Sequence, residues 1–485
     1  METQDRRGDR PNIVWIVTDQ QSAHMMGCAG NAYARTPNMD YIAKRGVRFS
    51  DAYCANPVCQ PSRFSLMTGI YPGECGLSGD GKSRDGTQLP RSLIDNAPAR
   101  LLKRLGYECL YGGKQGIPGL DAQALGFDYY CSDERDILAE RSAEYIRDNA
   151  RHGGKPFFLT LSFINPHDIC LMAINDFAEL ADNEADKRIV RTTTTETASV
   201  NRAAALPEGV SRRAFFESVC PPLPDNHMPE EDEPEAVGML LRERGFRQLA
   251  RDRYSAEQWR LHRWAYARLT EEVDAQIGKP LNALLDTGLW DNTAIIVTSD
   301  HGDMDASHKM EHKSAFYEEC VKVPLLLKGT ARGGGGESGD GCDGGGGGDG
   351  NGGNGGNGGN GGGGGGGGSG VVCGALVCNG LDCIPTILDY AGADTPGNLT
   401  GISLKPYADG GAAPARRETL VVESELGHMA ICGPYKYIRY DRGAHAEKFY
   451  DLRENPGEQY SQLGDAKYAD IIGRLKTALD NHIKR

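Results

Sequence analysis

The 485-residue chain has no apolar run near the ~18 residues that a bilayer-spanning helix needs, which excludes a helical membrane protein. It has no excess of positive charge either. Its 53 Lys and Arg stand against 67 Asp and Glu, a formal net charge of −14 at pH 7. That balance excludes a general nucleic-acid or membrane-surface binder. Any anion site must therefore build its own positive field from a metal ion, Lys, Arg or helix N-termini. The 14 cysteines lack the tight pairing of a zinc knuckle or a disulfide framework. Scattered singly in a large acidic chain, they read as reduced thiols. Residues 1–19 carry charges but no apolar segment of export-signal length, and Arg6-Arg7 is not followed by a hydrophobic run. As written the chain reads as cytoplasmic; a true start further upstream would make it periplasmic or secreted.

Four short apolar runs end in polar residues. Residues 12–20 end at Asp19 and Gln20, and residues 108–114 at Lys114. Residues 157–168 end at His167 and Asp168, and residues 294–303 at Asp300, His301 and Asp303. Each run is rich in β-branched and aromatic residues and has the length of a buried strand. Helical patterns lie between them. One covers residues 91–106. Another starts at Ser255 with the capping-box pattern Ser255-x-x-Gln258 and reaches about Gly288, with Pro280 expected to kink or split it. This alternation predicts an α/β fold: a large, mostly parallel sheet sandwiched by helices, with ligands at the carboxyl ends of the strands. The four polar endings would then share one rim.

Two segments read as insertions. Residues 192–207, rich in Thr and Ala, read as a loop. Residues 333–370 are nearly all glycine and read as a disordered surface loop, because they bury too little apolar surface to offset their ordering entropy. A phosphate-cradling glycine loop would need a Gly-Lys-Ser/Thr ending, which is missing. After about Lys405 the pattern changes to antiparallel strands and a final helix. The expected organisation is a catalytic domain over residues 1–405 and a small C-terminal α+β subdomain over residues 406–485.

Residues 56–72 read NPVCQPSRFSLMTGIYP. Cys59 could be a packing residue, a thiolate or a metal ligand, although Cys54-x4-Cys59 is looser than a zinc pair. Its four-residue spacing from Arg63 suits one helical turn. A helix starting near Pro61 would place residue 59 at an N-terminus, where anions are favoured. The run Cys-Gln-Pro-Ser-Arg-x-x-Leu-x-Thr-Gly resembles the signature of the type I sulfatases, of the alkaline-phosphatase-like superfamily. Residues 11–21, 36–54, 164–168, 291–319 and 447–458 extend the resemblance over nearly the whole chain, closest in feel to bacterial carbohydrate sulfatases.

The resemblance implies that Cys59 is oxidised by a maturation enzyme to formylglycine, whose hydrated aldehyde is the nucleophile. It implies one divalent cation, Ca2+ before Mg2+, on Asp19, Gln20, Asp300, His301 and residue 59. Arg63 would steady the nucleophile and the carboxylates. Lys114 and Lys313 would hold sulfate oxygens, His167 the sulfate or ester oxygen, and His308 would lie near the leaving group. Asn226 and His227 could line the mouth or simply sit in a solvated loop. Relatives commonly carry Gly-Lys-x-His after the Lys114 strand; here Gly116 stands in the histidine's place. The implied function is removal of sulfate from a sulfated saccharide, with no nucleic-acid or membrane partner. Two other readings stay open. One is a phosphonate or phosphate ester hydrolase of the same fold, which the Asp-Gln pair permits. The other is a non-catalytic protein that binds sulfated glycans.

Overall fold

The computed structural model describes residues 10–83, 90–117, 120–330, 370–412 and 414–484. The glycine-rich residues 333–369 lie outside the described residues. Among the described residues the main sheet has eight strands. They are β1 (Asn12–Asp19), β2 (Val47–Tyr53), β3 (Glu108–Gly113), β4 (Asp128–Cys131), β5 (Phe157–Pro166), β6 (Thr293–Ser299), β7 (Leu325–Lys328) and β8 (Val371–Cys378). Their spatial order is β8-β2-β7-β6-β1-β5-β3-β4. Every pairing is parallel except those of β7, which runs against both β2 and β6. The expected α/β architecture is therefore present. β1, β5 and β6 are buried along their whole length, which is why they read as continuous apolar runs.

Register sets the rim. Thr18 lies opposite Ser299, Asp19 opposite Pro166, and Gly113 opposite Ser162. The residues that leave these strands, Gln20, Lys114, His167 and Asp300, thus emerge at one edge of the sheet.

Three helices matter for the site. Helix α1 (Cys59–Thr68) follows an extended Val58 and ends at Gly69 in the left-handed conformation (φ 75°), the conformation glycine takes without a Cβ penalty. Helix α2 (Thr194–Ala203) lies within the segment read as a loop from its threonines. That expectation is corrected: Ser199, Val200 and Ala203 form a buried face, and tertiary burial outweighs the weak helix propensity of threonine. Helix α3 (Ala256–Asp286) opens with the expected capping box, Ser255 N–H donating to Gln258 Oε1 at 2.9 Å and Gln258 N–H to Ser255 Oγ at 3.3 Å. It passes through Pro280 without splitting. The lost backbone bond there is offset by packing along a helix with 17 buried residues, Ile277 before Pro280 and Leu281 after it among them.

Towards the C-terminus a second sheet, β9 (Leu420–Ser424), β10 (Gly427–Cys432), β11 (Tyr435–Tyr440) and β12 (Glu447–Asp451), is an antiparallel meander. The helix Ala469–Ile483 covers it through Leu475 and Leu479. Among the described residues no helix is long and apolar enough to cross a membrane.

Candidate active site

Helix α1 aims its first residue at the sheet rim. Cys59 occupies the first helical position, 6% exposed, and its Sγ lies 3.2 Å from His301 Nε2 and 3.8 Å from Asp19 Oδ1. Asp19, Cys59, Asp300 and His301 each offer one ligand atom, and the four atoms lie within 4.8 Å of one another. All four residues are buried. The Asp300 carboxyl is raised by burial and by the charge of Asp19 beside it. Two buried carboxylates aimed at one point repel each other, and a divalent cation between them would remove that repulsion. Two carboxylates and an imidazole are donors that such an ion accepts.

Arg63, one turn after Cys59, clamps the carboxylates. Its Nη2 lies 2.8 Å from Asp19 Oδ2 and its Nε 2.9 Å from Asp300 Oδ2. Nη1 donates to Ser162 Oγ at 2.7 Å and to the Lys114 carbonyl at 3.2 Å. Ser62 Oγ donates to the Asp300 carbonyl at 2.5 Å, which ties the helix start to the end of β6.

Two lysines complete the inner wall. Lys114 Nζ is 2.6 Å from Asp19 Oδ2, with 18% of its side chain exposed. Lys313 Nζ donates to Cys59 Sγ at 2.8 Å and to Gln20 Oε1 at 3.1 Å. Burial works against both charges, but Asp19 and Cys59 raise Lys114, and Cys59, Cys170 and Asp19 raise Lys313. Both are ammonium ions at neutral pH. Burial would also lift the Asp19 carboxyl; Lys114, His167, Arg63 and Lys313 outweigh it and hold Asp19 well below the usual range. His167, at the end of β5, is pushed well below its ordinary value by burial and then by Lys114. Its imidazole is neutral, and its Nδ1 has no hydrogen-bond partner.

Asp19, Gln20, Cys59, Arg63, Lys114, His167, Asp300, His301 and Lys313 thus share one site. His308 does not join them. Its ring stacks on Tyr317 at 3.9 Å, and the charges that act on it are those of Glu319, Glu233, Arg251 and Lys436. Asn226 and His227 brace the same loop rather than the inner wall. The Asn226 carbonyl accepts from the His308 N–H at 2.8 Å, and His227 Nδ1 lies 2.7 Å from the Ala306 carbonyl oxygen. Gly116 adopts φ +58°, and a β-carbon there would lie 3.4 Å from Arg63 Cδ and 4.0 Å from Lys114 Cε. The position faces the site and brings no side chain to it.

Three further residues belong to the site. Asp303 Oδ2 accepts from Gln20 Nε2 at 2.7 Å, which turns the amide oxygen of Gln20 towards Lys313. The same carboxylate accepts from the Asp305 and His312 backbone N–H groups at 2.7 and 3.1 Å, folding the loop back so that Lys313 returns to Cys59. Cys170 Sγ donates to Gln20 Oε1 at 2.9 Å, and Ser162 anchors Arg63. Position alone hinted at two of them: Asp303 follows His301 by two residues and Cys170 follows His167 by three. Ser162 sits inside an apolar run and gave no signal.

Gly302 lies where the chain approaches another backbone closely. A β-carbon there would enter the van der Waals shell of the Glu319 carbonyl oxygen and come within 2.9 Å of Ser22 Oγ. Gly302→Ala is expected to cost ~3 kcal/mol, because the obstacle is main chain and cannot rotate away. Urea unfolding would show the midpoint falling at unchanged slope.

Comparison with known proteins agrees with this geometry. The sulfatase family model matches residues 11–332, and the model for the C-terminal region of N-sulphoglucosamine sulphohydrolase matches residues 369–485. The chain belongs to the sulfatase family, whose members are sulfuric ester hydrolases, and its fold is the alkaline-phosphatase-like one. A Delta 4,5-hexuronate-2-O-sulfatase of Bacteroides thetaiotaomicron is 27% identical over 504 residues, covering 98% of this chain and 89% of that protein. An N-acetylglucosamine-6-O-sulfatase of the same organism is 25% identical, over 98% and 87%. The solved structure of a 2-O GAG sulfatase superposes with a TM-score of 0.74 at 25% identity, over 98% of this chain and 92% of that one.

Proposed function

We propose that this sulfatase cleaves a sulfate ester on a carbohydrate, with residue 59 as formylglycine and a calcium ion on Asp19, Gln20, Asp300, His301 and residue 59. The observation that carries this reading is the convergence of Asp19, Cys59, Asp300 and His301 on one point with Lys313 Nζ 2.8 Å from Cys59 Sγ. The two curated relatives described above, both carbohydrate sulfatases by name, support the choice of sugar. The ion would act as a Lewis acid on sulfuryl oxygens, and the aldehyde hydrate would provide an oxygen nucleophile with a second hydroxyl for its own release.

The chain's own residues do the remaining work. Lys313 and Lys114 bind sulfuryl oxygens as compact cations beside residue 59. Arg63 holds the Asp19 and Asp300 carboxylates in register. Neutral His167 takes a proton from the nucleophile, the task left open by Gly116, and a lysine ammonium protonates the departing sugar oxygen.

A panel of aryl sulfate, sulfated disaccharides and phosphonate monoesters, tested on enzyme co-expressed with its maturation factor, decides the reading. Turnover of sulfated sugars supports it; turnover of phosphonates alone assigns a different ester. Chelation should abolish turnover and lower the melting temperature, and added Ca2+ should restore both, since a ligand that binds only the folded state stabilises it by mass action. Because the pKa of His167 lies below its ordinary 6.5, its neutral form persists as pH falls to that value. The acid limb of kcat/KM should accordingly lie below pH 6.5, and a limb at or above it would place the base elsewhere.

A further inference from the structure

The Thr- and Ala-rich segment, which the chemistry above leaves without a task, forms one wall of a second concavity. A cavity of about 750 Å3 is lined by Arg35, Arg202, Trp264, Arg268, Glu271 and Glu272. That volume is in the range of small-ligand sites, ~300–1,000 Å3. None of the six belongs to the cluster around Cys59. Arg202 comes from α2 and the last four from α3. The turn His167–Ile169 packs on both helices, so this cleft and the sulfate site share one frame.

Its charges are unevenly satisfied. Arg268 is fixed: its guanidinium lies 4.1 Å from the Trp264 ring centroid, and Nη2 donates to Glu271 Oε1 at 2.7 Å and to the Tyr33 carbonyl. Glu271 Oε1 also accepts from the Arg35 backbone N–H at 2.8 Å. Arg35 and Arg202 are exposed, and among the described residues neither guanidinium has a hydrogen bond or a close ion pair. Burial lowers Arg268, and Arg35 lowers it further against the pull of Glu271, so the two cations stand close to each other. Glu272 is raised by burial while Arg202 draws it down. Positive charge is in excess here on a chain whose net charge is −14.

We propose that this cleft is a second binding site, for an acidic saccharide. Arg35 and Arg202 take a sulfate or carboxylate group by paired N–H donors. Glu271 and Glu272 accept sugar hydroxyls. Val210, Val219 and the edge of Trp264 cover the sugar's C–H face. A simple anion would gain nothing from the carboxylates, whereas a sugar carrying both an anionic group and hydroxyls matches the whole lining. The inference rests on the carbohydrate reading above and adds to it that the substrate is an oligomer gripped away from the scissile ester.

A fluorescent heparin tetrasaccharide at low ionic strength is a suitable probe for the full-length enzyme. Arg35→Ala/Arg202→Ala is expected to weaken its binding at least tenfold while turnover of p-nitrophenyl sulfate stays unchanged. In wild type the tetrasaccharide should slow phenylglyoxal modification of Arg35 and Arg202, as read by peptide mass spectrometry. Any of three results overturns the proposal. The first is binding within twofold of wild type in the double variant. The second is an equal loss from Arg91→Ala/Arg151→Ala, which removes the same charge outside the lining of the cleft. The third is displacement of the probe by equimolar inorganic sulfate. Failure of the carbohydrate reading looks different: the sulfated disaccharides are not turned over, and the binding measurements stand.

Discussion

Cys59→Ala is expected to fold like the wild type and to lose turnover by more than ~10⁴-fold, the scale on which removing a covalent nucleophile acts. Cys59 makes no disulfide and fills little volume, so its loss should cost less than ~1.5 kcal/mol. Thermal unfolding and steady-state kinetics on the same preparation separate the two effects. Near-wild-type turnover would remove residue 59 from the chemistry. Cys59→Ser is more informative. It offers one hydroxyl where an aldehyde hydrate offers two, so it can accept a sulfuryl group but has no second oxygen with which to expel it. Intact-mass measurement after incubation with substrate should show a gain of one sulfuryl group and no multiple turnover.

Arg63→Ala should produce the largest loss of stability. Arg63 is 2% exposed and bridges Asp19 and Asp300, both fully buried. Removing the cation leaves two like charges in a dry site, a situation that costs ~3–5 kcal/mol. Activity should fall with it, because Asp19 and Asp300 then relax apart. Arg63→Lys keeps the charge but loses the fork that reaches both carboxylates and Ser162 at once, so it should recover only part of the stability. Saturating Ca2+ should narrow the difference between Arg63→Ala and wild type in chemical denaturation. If both variants unfold at the wild-type midpoint, the clamp has no energetic weight.

Much of this arrangement is legible from the sequence for a simple reason. Buried parallel strands must be apolar throughout, so the polar residues that end β1, β3, β5 and β6 are conspicuous, and topology alone gathers them. Cys59 and Arg63 are legible because one helical turn separates them. What stays hidden depends on contacts between distant segments. Ser162 lies in an apolar run and gains its role only because Arg63 arrives from another element. Asp303 could be noticed but not interpreted, since its partners, Gln20 and the His312 N–H, are fixed by the folded loop. The loop also explains His308. Asp305, Ala306, His308, Lys309 and His312 all take positive φ, a path no local pattern announces, and it swings His308 onto Tyr317 while returning Lys313 to Cys59. The α2 helix was hidden for the opposite reason: its local sequence argues weakly for helix, and a buried face decides.

The central position of β1 has a consequence for how the molecule comes into being. This strand precedes the other seven of its sheet in the sequence, yet its two neighbours lie far downstream: Asn12 bonds to a backbone group 145 residues away, and Thr18 to one 280 residues away. Contacts of such range carry a heavy loop-closure cost and form slowly. During synthesis β1 must wait, apolar and unpaired, until β5 and then β6 have emerged. A chain cut short before β6 would therefore lack Asp300, His301 and Lys313, and would also leave β1 without its partner on one side.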